Sequence, residues 1–305
     1  MSTHIVVTTP GPVSQPAMHA SFLGMMRGEF LKIARLFWLL LSILTGIFLI
    51  SFLLLSTSPG TKTDLQNTPL HFLYSMMESN LSAFRVLVGI VLLILTSFAV
   101  GREYQYGTIR ILLARGAGRV QLLLAKLATL ALLALALLIA FFLLTAVLTC
   151  IFTVATVGNL NALSALTPAF WSTTGICLLA VIMSMGATIL LAVAMNALTR
   201  SLTFGLSASL AWFAIDNMGT IVMGLLFRLT HSNFWLDATT YFLGPLLNRL
   251  PDMLLPKQVQ TGFEAIGAAP LVSVEGTHAL WVIFGYALGF AIVTFVSTWK
   301  RDVKE

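Results

Sequence analysis

Ionisable residues are scarce in this chain, and the few that fall inside long apolar stretches sit where charge is costly. Asp216 lies in Leu210-Ala-Trp212-Phe-Ala-Ile-Asp216-Asn217-Met-Gly219-Thr220. A carboxylate at mid-membrane depth costs about 2.5 to 3.5 kcal/mol on insertion scales, so it is expected to face a protein interior or a wet cavity. There it could act as a functional group, with Asn217, Trp212 and Arg85 as companions. It could equally be half of a structural pair with Arg85, or stay protonated against Asn217 or Thr220. Arg85 and Arg228 fall near the ends of their apolar stretches, where long side chains ordinarily snorkel to headgroups. Ser207, Ser209, Gly205 and Gly219 read as small residues that let helices approach closely.

The second concentration of chemistry runs from Gly101-Arg-Glu103-Tyr-Gln-Tyr-Gly107-Thr108-Ile-Arg110 through Arg115-Gly-Ala-Gly-Arg119 to Lys126. Its composition reads as a basic loop with a short helix from about Thr108 to Ala114, ended by Gly116. Attraction to anionic lipid would account for the arginines, but not for an acid, a Gly-Thr pair and a second glycine pair at fixed places. Other chemistries lack their residues. No Gly-x-x-x-x-Gly-Lys-[Ser/Thr] phosphate loop occurs, so the chain cannot cradle ATP in that way. His4, His19, His71, His231 and His278 form no ligand spacing, and Cys150 and Cys177 form no spaced pattern, so neither a metal site nor a disulfide framework is expected. No serine, cysteine or carboxylate grouping has the form of a hydrolase, and no catalytic residue is assigned. Asn80-Leu-Ser82 matches a glycosylation sequon, a pattern with little specificity.

The elements that must carry these residues follow from composition. Of 305 residues 58% are apolar and only 9% charged, against roughly 25% charge in an average soluble domain, which excludes a soluble globular protein. The net charge of +6 comes from too few residues to form a nucleic-acid footprint, and an anionic lipid leaflet is the partner it implies. Six apolar stretches, at about 36–56, 81–101, 121–148, 173–198, 203–228 and 279–299, are each long enough to cross a core of about 30 Å as a helix. The runs are continuous and do not alternate with period two, which fits helical spans better than a barrel. An even span count puts both ends on one side. Twelve Lys or Arg then fall on the side of the ends and five opposite, which predicts cytoplasmic termini.

Residues 1–19, with Pro10, Pro12 and Pro16 and no basic residue, read as a disordered cytoplasmic tail without the features of a signal peptide, and 20–305 as one membrane domain. Phe22, Met26, Phe30, Ile33 and Phe37 recur at helical spacing opposite Lys32 and Arg35, which predicts an interfacial helix over about 20–35 before span one; the alternative is the start of a long tilted span. Glu29 sits near the edge of the apolar sector, where Lys32 could pair with it. The stretch 229–278 carries Phe234, Trp235, Tyr241, Phe242, Leu246, Leu247 and Leu250. These predict short amphipathic helices dipping into the outer interface, broken by Pro245, Pro251, Pro256 and Pro270.

Here the chain resembles the permease subunits of the ABC-2 family of ATP-binding-cassette transporters, whose second span commonly ends in an acid followed by Gly-Thr, a short coupling helix, an Arg in the next turn and a Lys opening span three. Glu103, Gly107, Thr108, Arg119 and Lys126 fall at those places, and Arg27-Gly-Glu29-Phe-Leu-Lys32-Ile-Ala-Arg35 is similar to the family's elbow-helix segment. Ala114-Arg-Gly-Ala-Gly-Arg119 departs from the proline-containing turn of many members and leaves the end of the coupling helix open. The resemblance implies an all-α, six-span protein with an N-terminal elbow helix. It implies that Glu103, Gly107, Thr108, Arg110, Arg115 and Arg119 couple to an ATPase, with Glu103 bonding orphan amides at the helix start or pairing with Arg102 or Arg110. It further implies separate ATPase subunits carrying ATP and Mg, no cofactor in this chain, a second permease subunit, a cytoplasmic-membrane location, and export of a peptide, drug-like or lipid-like molecule, or ion by alternating access. Asp216, Asn217, Trp212 and Arg85 become pathway candidates. The rivals are a proton-coupled carrier using Asp216 and a non-transporting membrane anchor.

Overall fold

The computed structural model describes residues 21–58, 60–107, 118–254 and 269–299. Among them every regular element is helical, as a chain must be when lipid offers its backbone no partners. Six helices are long and apolar enough to cross a membrane: α1 (Phe22–Ser56), α3 (Pro69–Gln105), α4 (Arg119–Val157), α5 (Pro168–Thr199), α6 (Leu202–Thr230) and α9 (Gly276–Trp299). Three shorter helices lie between the spans: α2 (Thr61–Asn67), α7 (Phe234–Ala238) and α8 (Leu243–Leu254). The first part of α1 coincides with the expected interfacial helix, but no break separates it from span one, and α1 runs unbroken for 35 residues. At 1.5 Å per residue it is about 50 Å long, well beyond the hydrocarbon thickness.

Burial divides the spans. In their most apolar stretches α3 and α5 are 67% and 61% buried, against 11% for α6. Neighbouring helices gain no hydrophobic advantage over lipid tails, so small and polar residues decide which helices go inside. α3 brings Ser79, Asn80, Ser82, Thr96 and Ser97, and α5 brings Thr173, Thr174, Ser184, Thr188 and Asn196, all buried. Asn196 Nδ2 donates to Ser97 Oγ at 2.9 Å and to Ala192 O at 2.8 Å, joining the two helices. Gly101 of α3 and Gly205 of α6 lie against that amide with no room for a Cβ, so three helices converge on Asn196. Phe48, Phe84 and Phe141 tie α1, α3 and α4 together, with ring centroids 4.1 Å (Phe48–Phe141) and 4.0 Å (Phe84–Phe141) apart.

Pro245 and Pro251 lie inside α8 rather than breaking it. Pro256 falls outside the described residues. Leu243, Leu246, Leu247 and Leu250 present one buried face to a cluster shared with α5 and α9. Tyr286 Oη donates to Tyr241 O at 3.1 Å, and Leu271 N to Thr239 Oγ1 at 2.9 Å, fastening the irregular connections around α8.

Candidate functional site

Four charged side chains close into a ring at the base of the 101–126 segment. Glu29 and Lys32 come from α1, Glu103 from the last turn of α3 and Lys126 from the second turn of α4. Lys32 Nζ lies 2.6 Å from Glu29 Oε1 and 2.7 Å from Glu103 Oε1. Lys126 Nζ lies 2.5 Å from Glu29 Oε2 and 2.8 Å from Glu103 Oε1. Each lysine thus touches both carboxylates. Lys126 Nζ also donates to Ala99 O at 3.0 Å, so its three protons all have acceptors. Glu29, Glu103 and Lys126 are buried, while the Lys32 side chain is 45% exposed. Two acids against two bases make the ring neutral, which is how buried charge is tolerated at such a place.

The ring corrects one expectation and extends another. Glu103 pairs with Lys32 and Lys126 rather than with Arg102, whose guanidinium instead sits 6.0 Å from the ring centroids of both Phe98 and Tyr106. Glu29 pairs with Lys32 as its spacing allows, and also with Lys126, 97 residues away, which spacing on one helix does not reveal. The signal was present in the sequence as a lysine seven residues into an apolar run, which has to find a buried acid. Gly107 has φ +64, the left-handed conformation that glycine adopts without strain, immediately after α3. Thr108, Arg110 and Arg115 lie outside the described residues. Arg119 opens α4. Arg35 is exposed on α1.

Asp216 has a different setting from either expected pairing. Its Oδ1 accepts from Leu243 N at 3.0 Å and its Oδ2 from Gly244 N, so it caps α8 from across the bundle. The accounting at that helix start is complete: Pro245 has no N–H, and Leu246 N bonds to Phe242 O at 3.1 Å. The capping residue is 14 positions from Thr230, the end of α6, so α8 begins about 20 Å down the side of α6. Phe242 packs over Gly219, and Gly244 under the Asn217 side chain, whose Nδ2 donates to Phe213 O at 2.8 Å. Gly205, Gly219 and Ser209 are therefore close helix contacts as read from their size, whereas Ser207 is exposed.

Arg85 does not snorkel. It is 3% exposed, Nη1 lies 3.5 Å from Ser184 Oγ, and Nε and Nη2 have no partner among the described residues. It lines a cavity together with Ser184, Thr188, Trp212, Asp216 and Asn217, so the structure does bring the four pathway candidates to one place. No ion pair joins Arg85 to Asp216 among the described residues. The cavity holds little more than one water molecule.

A search of curated proteins found no match to the chain. The family model described as "ABC-2 family transporter protein" matches residues 25–227, two-thirds of the chain, which include all four residues of the charged ring and Asp216. With six apolar spans and that match over α1 to α6, this chain belongs to the ABC-2 family of membrane transporter subunits.

Proposed function

We propose that the chain is the permease half of an exporter. Two such subunits, identical or homologous, form the pathway in the cytoplasmic membrane with both termini cytoplasmic, and separate ATPase subunits bind ATP and Mg and drive alternating access. The observation that carries this reading is the ring of Glu29, Lys32, Glu103 and Lys126. It joins α1, α3 and α4 close to where α3 ends and α4 begins, so a force applied between those two helix ends moves three spans as one body rather than bending one helix end. A rigid element of this kind is what a shape-changing ATPase needs on the membrane side. In this reading Gly107, Thr108, Arg110, Arg115 and Arg119 meet the ATPase, and Glu103 serves the joint behind them. The proton-carrier rival is weakened by the Asp216 geometry, because both carboxylate oxygens are already engaged as a helix cap by two backbone amides.

The test is affinity purification of the chain from its native membrane. An ATPase with a phosphate loop should copurify, and its hydrolysis should fall to uncoupled or lost levels in the Gly107→Val variant, which strains the turn without touching the ring. Failure of any ATPase to copurify, or Gly107→Val hydrolysis and assembly equal to the unaltered chain, would sink the reading.

A further inference from the structure

We infer that a single anion of chloride's size binds beside Arg85, in the small cavity where α3, α5 and α6 meet the start of α8. Arg85 comes from α3, Ser184 from α5, Asp216 and Asn217 from α6, and Leu243 and Gly244 from α8. A guanidinium stays protonated in proteins, so burial leaves a full positive charge at this place. Arg85 is 3% exposed, and its Nε and Nη2 have no partner among the described residues. Those two nitrogens carry three protons. Two of the three lie on one edge of a rigid fork, where a single acceptor can take both.

Charge, donor count and size select the occupant. Ser184 Oγ, 3.5 Å from Arg85 Nη1, keeps its own proton to give, and the Asn217 amide donates one proton to Phe213 O and keeps the other. Asp216 is the one acid in the lining, and both its oxygens already accept from the amides of Leu243 and Gly244. Those amides open α8, whose N-terminal end adds positive partial charge on the same side. Glu78, seven residues before Arg85, stands about 10 Å away along α3 and has a partner of its own. One full cation and a helix N-terminus thus face one capped carboxylate, which leaves the cavity with an excess of positive charge and of donors. The space takes little more than one water-sized particle, so phosphate, sulfate and the carboxylate of a larger molecule are too big. A water molecule would accept at most two protons and bring two more that need acceptors. A halide accepts from every side and turns an uncompensated buried charge into a pair.

Thermal unfolding of the purified full chain in detergent, moved from sodium gluconate into sodium chloride at constant ionic strength, reads this out independently of any ATPase. Tm should rise by roughly 3 °C or more and level off with chloride concentration, as a site present only in the folded state requires. Sodium bromide should act like chloride, and sodium sulfate should give no rise that levels off. Arg85→Met should abolish the saturating rise. Asp216→Asn, which removes the one negative charge of the lining, should move its midpoint to lower chloride. Should Arg85→Met fail to fold, equilibrium dialysis of radioactive chloride against the unaltered chain decides, with one ion retained per chain as the expected result. A Tm that does not distinguish chloride from gluconate, an equal saturating rise with sulfate, or no retained chloride overturns the proposal, since water alone would then fill the cavity. A full rise in Arg85→Met, or a midpoint that does not fall in Asp216→Asn, overturns it as well by placing the ion elsewhere.

Discussion

At the scale of single residues, the four-charge ring behaves unlike a surface salt bridge, because three of its members are shielded from water. Removing one partner of a buried pair leaves an uncompensated charge and costs about 3 to 5 kcal/mol. Lys126→Met should therefore destabilise strongly, since both glutamates lose their buried cation together with the bond to Ala99 O. Lys32→Met should cost clearly less, because its ammonium is half in solvent and water can replace part of what it gives. Thermal unfolding of the two purified variants checks the order, and equal losses would mean that burial does not govern the ring. The same reasoning makes Glu103→Ala a poor probe of coupling, because it would unbalance the ring before it informed on the ATPase. The separate ingredients of this site were legible in the sequence: an acid and a lysine three apart on α1, an acid at the end of span two, a lysine early in span three. Their closure was not, because it depends on three helix ends meeting in space, and the arginines of the loop offered a nearer and equally plausible set of partners.

At the scale of elements, α8 shows how an irregular stretch can be held at membrane depth. Its first amides would be orphans among apolar side chains, and such groups are tolerated only when buried in protein and satisfied. Asp216 satisfies two of them, Pro245 removes a third, and the fit of Phe242 on Gly219 and of Gly244 under Asn217 sets the depth. Removing a capping oxygen typically costs about 1 kcal/mol, so Asp216→Ala should lower Tm and loosen α8. Asp216→Asn should be milder, because the amide oxygen still accepts one bond. Substituting Arg85→Met in the Asp216→Ala background should not restore stability, since no ion pair joins the two residues. Full rescue would show that they act as a charge pair in the folded protein. Asp216 announced itself through its energetic cost, but not its partner: the amides it caps belong to Leu243 and Gly244, 27 and 28 residues away, and backbone donors leave no mark in a sequence. The burial of Arg85 escapes the sequence for a related reason. Its distance from the span end fits snorkelling, and only the packing of α5 alongside closes the route to water.

At the scale of the whole molecule, the arrangement of ends bears on orientation. Phe22, Gly118 and Trp299 line one groove, so the start of α1, the start of α4 and the end of α9 share one side of the bundle. Glu29, Glu103 and Lys126 meet on that side as well, whereas α2, α7 and α8 follow the opposite ends of their spans. In sequence, twelve of the seventeen basic residues fall in or next to the segments that adjoin this side, and basic residues are retained in the cytoplasm during insertion. Single cysteines report the outcome once Cys150 and Cys177, half-buried and buried respectively, are replaced by serine or alanine. A membrane-impermeant thiol reagent should reach a cysteine at Lys62 in intact cells, because Lys62 lies in α2 beyond the far end of α1. It should reach cysteines at Arg115 and Lys304 only after the membrane is opened. Labelling of the Arg115 position in intact cells would invert the bundle, turn the ring and the α3–α4 connection away from any cytoplasmic ATPase, and remove the mechanical role proposed for them.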